Sequence, residues 1–172
     1  MPKDQYTIRV AKSDDLAVLP IIEQAAAAQF RTTKYAALVD FEPASTAINL
    51  EHEYVWVVVA GDDQPVGFAI AHVLDESSAV HLHEIDVHPQ HARQGLGRWL
   101  IDAVAKWAQE QGAKALTLTT FGDVPWNGPY YERLGFRKLE IDELSPALQA
   151  IRNAEATAGL PMANRICMQR DL

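Results

Sequence analysis

Residues 79–120 read AVHLHEIDVHPQHARQGLGRWLIDAVAKWAQEQGAKALTLTT, and the order of patterns inside them decides the fold. The stretch 79–87 carries the β-branched and apolar content of a strand. From 94 to 111 the period changes, with Leu96, Trp99, Leu100, Ala103, Val104 and Trp107 recurring at helical spacing. Gly112 stands where a left-handed residue ends a helix, and KALTLTT then reads as a second strand. Two strands joined through a helix run parallel, because only a crossover connection of this length returns the chain in the same direction.

The flanks predict a different geometry. YTIRVA alternates as a first strand, and Ser13 is placed to cap a helix from Asp14 to about Phe30 whose Leu16, Leu19, Ile22 and Ala26 share a face. RTTKYAALVDFEP is irregular, and Pro43 opens a short helix to about Glu51. YVWVVVA, the turn GDDQ and PVGFAIAHV then form a hairpin, and a second turn, DESS, leads into residue 79. Beyond the crossover, the pattern predicts a short helix from Pro125 to Leu134, a strand from Gly135, a helix over 146–157 and a last strand, RICMQRDL. The class is α+β, antiparallel strands first and a parallel crossover in the middle.

Composition sets the outer bounds. At 172 residues, 48% hydrophobic and 22% charged, the chain fits one globular domain, residues 1–172, with a core burying roughly 70% of the unfolded surface. A formal net charge of −8 argues against nucleic acid as a partner, since phosphate binding needs a basic face. Cys167 is the single cysteine, the opening MPKDQYTIRV lacks the apolar run of a signal peptide, and no stretch approaches the ~18 apolar residues of a membrane span. A reducing cytoplasm is the expected compartment.

Against that acidic background the segment from Val87 to Ile101 holds no Asp or Glu, while it holds Arg93 and Arg98. Gly95 and Gly97 stand where the helix begins, and the lack of a Cβ lets another group approach the backbone. Free N–H groups at a helix start, aided by the dipole, favour an anion. The nucleotide motifs do not fit: GxxxxGK[ST] is absent, and GxGxxG would require glycine where Leu100 stands. On spacing alone, a phosphate cradle and a simple tight turn both remain open.

The stretch IDVHPQHARQGLGRWLI resembles the acyl-CoA pyrophosphate loop of the GNAT superfamily of N-acetyltransferases. WNGPYYERLGF, residues 126–136, is similar to that family's second signature, with a tyrosine four residues before Gly-Phe. Two departures stand out: Ala92 occupies a place usually held by Gln or Arg, and Pro129 one often held by Ala. The resemblance implies a mixed, mostly antiparallel sheet with a central splayed parallel βαβ unit flanked by helices. It also implies acetyl-CoA as co-substrate, with Arg93, Gln94, Gly95, Leu96, Gly97 and Arg98 surrounding the pyrophosphate. Strand residues Ile85, Asp86 and Val87 line the cofactor, Ile85 and Val87 by their backbones, and Asn127 and Tyr131 face the thioester end.

Acyl transfer to an amine needs a group that accepts the amine's proton and a donor for the departing thiolate. Glu84 is the chosen base, directly or through water, with Asp86 as the alternative and a structural ion pair as the competing role. Tyr131 is the chosen acid, set against a packed aromatic and against its neighbour Tyr130. The histidines His81, His83, His88 and His91 raise a metal site, but a third fixed ligand is not evident, so no metal is expected. Cys167 sits in an alternating strand without a nearby His or Asp and reads as packing. The sequence thus points to an acetyl-CoA-dependent N-acetyltransferase acting by direct attack in a ternary complex. A small-molecule amine is the favoured acceptor. Peptide N-termini or lysines, a non-catalytic CoA-sensing module and a homodimer are left open.

Overall fold

The computed structural model describes residues 5–74 and 78–172, so of the expected turn DESS only Ser78 falls within it. Seven strands, β1 (Thr7–Val10), β2 (Tyr54–Val59), β3 (Pro65–Val73), β4 (Ala79–Val87), β5 (Ala115–Phe121), β6 (Arg137–Lys138) and β7 (Arg165–Asp171), form one sheet. Their order is β1-β2-β3-β4-β5-β7-β6. The β1·β2, β2·β3, β5·β7 and β6·β7 pairs are antiparallel, and the sheet contains one parallel pair, as the strand–helix–strand reading expects. Helices α1 (Leu19–Ala27), α2 (Leu96–Glu110), α3 (Gly128–Arg133) and α4 (Pro146–Thr157) flank it. Two compact units divide the chain, one of Met1–His72 and Leu82–Lys106, the other of Val73–His81 and Trp107–Leu172.

In the first unit Leu19 and Ile22 of α1 pack on Val55, Val57, Val59, Phe68 and Ile70 from the β2–β3 hairpin. The helix begins later than Asp14. Pro20 has no N–H to give and must lie in a first turn, so α1 starts at Leu19 and residues 13–15 form a separate 3-10 turn. That turn is held by Asp15, which accepts from Lys12 N at 2.6 Å and from Arg9 Nη1 at 2.6 Å. The Arg9 guanidinium draws the Asp15 carboxyl below the usual carboxylate range. The expected helix after Pro43 is only a 3-10 turn, Ala44–Ala47.

In the second unit Leu139, Leu148 and Cys167 make a buried cluster with Leu74, Leu144 and Ile151 against it. The α4 boundaries match the sequence reading because Ser145 Oγ accepts from Leu148 N and Pro146 fixes the first helical residue. α3 begins at Gly128, three residues later than expected. The strand expected from Gly135 shortens to Arg137–Lys138: Leu139 N still bonds Cys167 O at 2.9 Å, and the chain then turns away through Glu140–Glu143.

Candidate active site

β4 leaves the sheet into a loop that opens α2. His88 N donates to Val66 O at 2.8 Å, which ties the loop's first residue to β3, and a 3-10 turn follows over Pro89–His91. Two residues then take left-handed conformations, Arg93 at φ 59° and Gly95 at φ 77°. Such a residue cannot continue into a right-handed helix, so α2 starts at Leu96 and not at 94. Trp99 N donates to Gly95 O at 3.0 Å, the first bond of the helical ladder; Leu96, Gly97 and Arg98 precede it, so their N–H groups have no intrahelical acceptor. A Cβ placed on Gly95 would meet no described atom within 4 Å. The helix start thus combines first-turn backbone donors with open space beside Gly95, and the guanidinium of Arg98 lies 3.7 Å from exposed Asp102 on the same turn. These features fit an anion such as a pyrophosphate.

On the preceding strand, carboxylate oxygens of Glu84, Asp86 and Glu23 lie within 4.8 Å of one another. Glu23 comes from α1 and accepts from Ala44 N at 2.7 Å, Ser45 N at 2.9 Å and Ser45 Oγ at 2.5 Å. Burial, then the negative charges of Glu84 and Glu23, push the Asp86 carboxyl well above its ordinary range, and a hydrogen bond joins it to Glu84. The two carboxyls therefore titrate as a pair, with burial and mutual repulsion disfavouring ionisation of Asp86. β3 closes on this place: a Cβ on Gly67 would sit 2.9 Å from Asp86 O and 3.1 Å from Val87 Cγ2. Glu23 was not anticipated, though it stands four residues after Leu19 at the margin of the apolar stripe of α1.

The histidines do not converge. His81 is buried, with Nδ1 2.9 Å from Thr117 Oγ1, whereas the exposed His83 lies with its ring 5.9 Å from that of His72. Among the described residues, the one group of three possible metal-ligating side chains is the carboxylate trio. Cys167 is buried in apolar packing, and burial pushes its thiol up, away from thiolate chemistry.

The second unit carries the phenol. α3 begins against the turn after β5, where a Cβ on Gly128 would be 2.9 Å from Gly122 Cα and O, so the two backbones touch. Tyr131 lies on the buried side of this helix, its ring edge-on to Phe136 at 5.8 Å and to Tyr130 at 5.4 Å. Tyr130 is half-buried with the Arg133 guanidinium 6.0 Å from its ring centroid. The two neighbouring tyrosines that the sequence left in competition thus differ in burial, Tyr131 buried and Tyr130 half-buried. Asn127 occupies the N-cap position but its side chain makes no capping hydrogen bond, while its carbonyl accepts from Tyr131 N at 3.0 Å.

A family model described as the acetyltransferase (GNAT) family matches residues 19–136, more than half of the chain. The chain belongs to the GNAT family. Solved structures share this fold. A PaiA N-acetyltransferase from Thermoplasma acidophilum, in complex with coenzyme A, superposes with a TM-score of 0.74 at 13% identity over 97% of this chain and 99% of that one. The ribosomal-protein-S18-alanine N-acetyltransferase from Escherichia coli gives 0.68 at 21% identity over 96% and 93%. N-acetylglutamate synthase from Neisseria gonorrhoeae, complexed with coenzyme A and N-acetyl-glutamate, gives 0.68 at 18% identity, covering 97% of this chain and 35% of that one. Membership in GNAT supports acyl transfer from a CoA thioester as the general activity. Among the described residues no helix is long and apolar enough to cross a membrane.

Proposed function

We propose that this GNAT protein transfers an acetyl group from acetyl-CoA to a primary amine, the amine attacking directly while both substrates are bound, and that the acceptor is a small molecule. The observation that supports the reading most is the entrance of α2, where Arg93 and Gly95 turn left-handed, the helical ladder begins only at Trp99 N, and a Cβ on Gly95 would meet nothing within 4 Å. In this reading the backbone of Arg93, Gln94, Gly95, Leu96, Gly97 and Arg98 holds the pyrophosphate, and Ile85, Asp86 and Val87 of β4 line the pantetheine. When bound, the co-substrate supplies an acetyl group activated as a thioester.

The chain's own groups then handle protons and charge. Glu84 accepts the proton that the attacking amine must lose, directly or through water, beside the Asp86 carboxyl that burial and the neighbouring charges hold above its ordinary range. Tyr131 protonates the departing sulfur, and Asn127 helps to orient the thioester. The negative charge of Glu23, Glu84 and the chain as a whole favours a cationic amine as the incoming partner. Turnover requires no metal, so dialysis against EDTA leaves activity unchanged, and a loss restored by zinc would reopen the histidine reading.

The test is free-thiol release from acetyl-CoA against a panel of small amines, amino acids, peptides with free N-termini and lysine peptides, with the acetylated product confirmed by mass. Release with a small amine is expected. Release with peptides alone would move the acceptor class, and CoA binding without release from any amine would favour a CoA-sensing module.

A further inference from the structure

The loop that opens α2 is closed on itself by a residue far away in sequence. Tyr6 lies just before β1, and its buried ring meets that of His91 edge-on at 5.8 Å. Its hydroxyl is 2.8 Å from His91 Nδ1 and accepts from Gln94 Nε2 at 3.2 Å. One oxygen therefore joins the residue two positions before Arg93 to the residue directly after it. Arg93 itself holds φ 59°, a conformation that a residue with a side chain rarely takes unless its surroundings enforce it. The other fixings, His88 N to Val66 O at 2.8 Å and the 3-10 bonds of 88–92, all lie before Arg93. Among the described residues, the Tyr6 hydroxyl bonds on both sides of it.

We infer that Tyr6 is a positioning residue for the acyl donor: its hydroxyl staples His91 to Gln94, holds Arg93 left-handed, and so keeps the N–H groups of 93–98 aimed at the pyrophosphate before that group arrives. Gln94 donates to the phenol oxygen, and the phenol shares its second hydrogen bond with His91 Nδ1, the imidazole tautomer setting which of the two donates. Without the hydroxyl, residues 91–94 regain conformational freedom that binding must again remove, and affinity falls through lost pre-organisation. The inference rests on the acetyl-CoA reading above.

Tyr6→Phe keeps the ring and its edge contact and removes only the hydroxyl. Titration calorimetry is expected to show the dissociation constant for CoA rising roughly tenfold, the scale of one to two lost hydrogen bonds. KM for acetyl-CoA rises in step while kcat at saturation holds. Acetyl-pantetheine, a donor without the pyrophosphate, is expected to be used equally well by Tyr6→Phe and wild type. His91→Ala cuts the staple at its other end and should show the same split, with the double variant no worse than either single one. This also serves if Tyr6→Phe does not fold. A CoA dissociation constant within twofold of wild type in both variants would overturn the staple and leave the acetyl-CoA reading intact. An equal loss for acetyl-pantetheine would overturn it too, by showing general damage. Wild type that does not bind CoA would overturn the underlying reading, and the staple with it.

Discussion

Two helix entrances, one in each unit, use glycine for opposite reasons. At α2, Gly95 is left-handed and a Cβ there would meet nothing within 4 Å; at α3, Gly128 lies so close to Gly122 that a Cβ would overlap its backbone at 2.9 Å. The first glycine borders open space, and the second lets two pieces of chain touch. The functional groups differ in the same way. Those proposed for the first unit are backbone donors and three carboxylates, and for the second a phenol packed among aromatic rings. A ligand-facing place should lose function when changed while keeping stability, and a packed one should do the reverse unless the altered atom is the reactive one.

The largest effect is expected at Glu84. Glu84→Gln should lower turnover by a factor on the order of 10²–10⁴, the usual worth of a positioned base. The loss should shrink at high pH, where more of the amine is already neutral; a deficit that ignores pH would make Glu84 structural. Next comes Tyr131→Phe, which keeps the contacts with Phe136 and Tyr130 but removes the proton donor. Single-turnover rates at saturating substrates should fall by roughly 10²-fold with acetyl-CoA affinity little changed, while Tyr130→Phe is nearly silent. If Tyr130→Phe is the damaged variant, the second unit's phenol has been misassigned.

Gly128→Ala and Gly95→Ala test the glycine contrast itself. Backbone overlap at Gly128 should cost about 1–3 kcal/mol, with Tm falling by ~2–4 °C per kcal/mol at this chain length. Gly95→Ala should cost only the left-handed penalty, ~1 kcal/mol, but should weaken CoA binding. Equal Tm losses with unchanged CoA affinity would erase the distinction.

Asp86→Asn should give the smallest effect, and with the opposite sign. In the folded chain this carboxyl is raised above its ordinary value, so between the ordinary value and the raised one the folded state holds a proton that the unfolded state has released. Its stabilising contribution is present at low pH and is lost as pH rises through that window. Asp86→Asn should therefore raise Tm by a few degrees at neutral pH, at ~2–4 °C per kcal/mol, and give no gain near pH 3.5. A uniform shift at both pH values would exclude titration of Asp86 as the cause.

The elements were legible where local chemistry and tertiary need agreed. Ser145 and Pro146 mark the start of α4, and the β2–β3 hairpin shows in its apolar runs around GDDQ. Boundaries slipped where a single backbone constraint ruled: Pro20 delays α1, and the left-handed Gly95 delays α2. Of the proposed site, the α2 loop was suggested by glycine spacing and missing acids, which are local signals, and Tyr131 by its motif. Glu23 and Tyr6 were not, because each acts on residues about 60–90 positions away, and nothing in the intervening sequence encodes that approach.

The most direct measurement is the shift in Tm produced by CoA, NAD and ATP, each titrated into wild type and into Gly95→Val. Binding to the folded state alone must stabilise it, by ~2.7 kcal/mol at a ligand concentration a hundred times the dissociation constant. CoA is expected to raise the Tm of wild type, NAD and ATP to leave it unchanged, and Gly95→Val to fold but lose most of the CoA shift. Equal stabilisation by NAD or ATP, or a full CoA shift retained by Gly95→Val, would contradict the assignment of the α2 entrance to the CoA pyrophosphate.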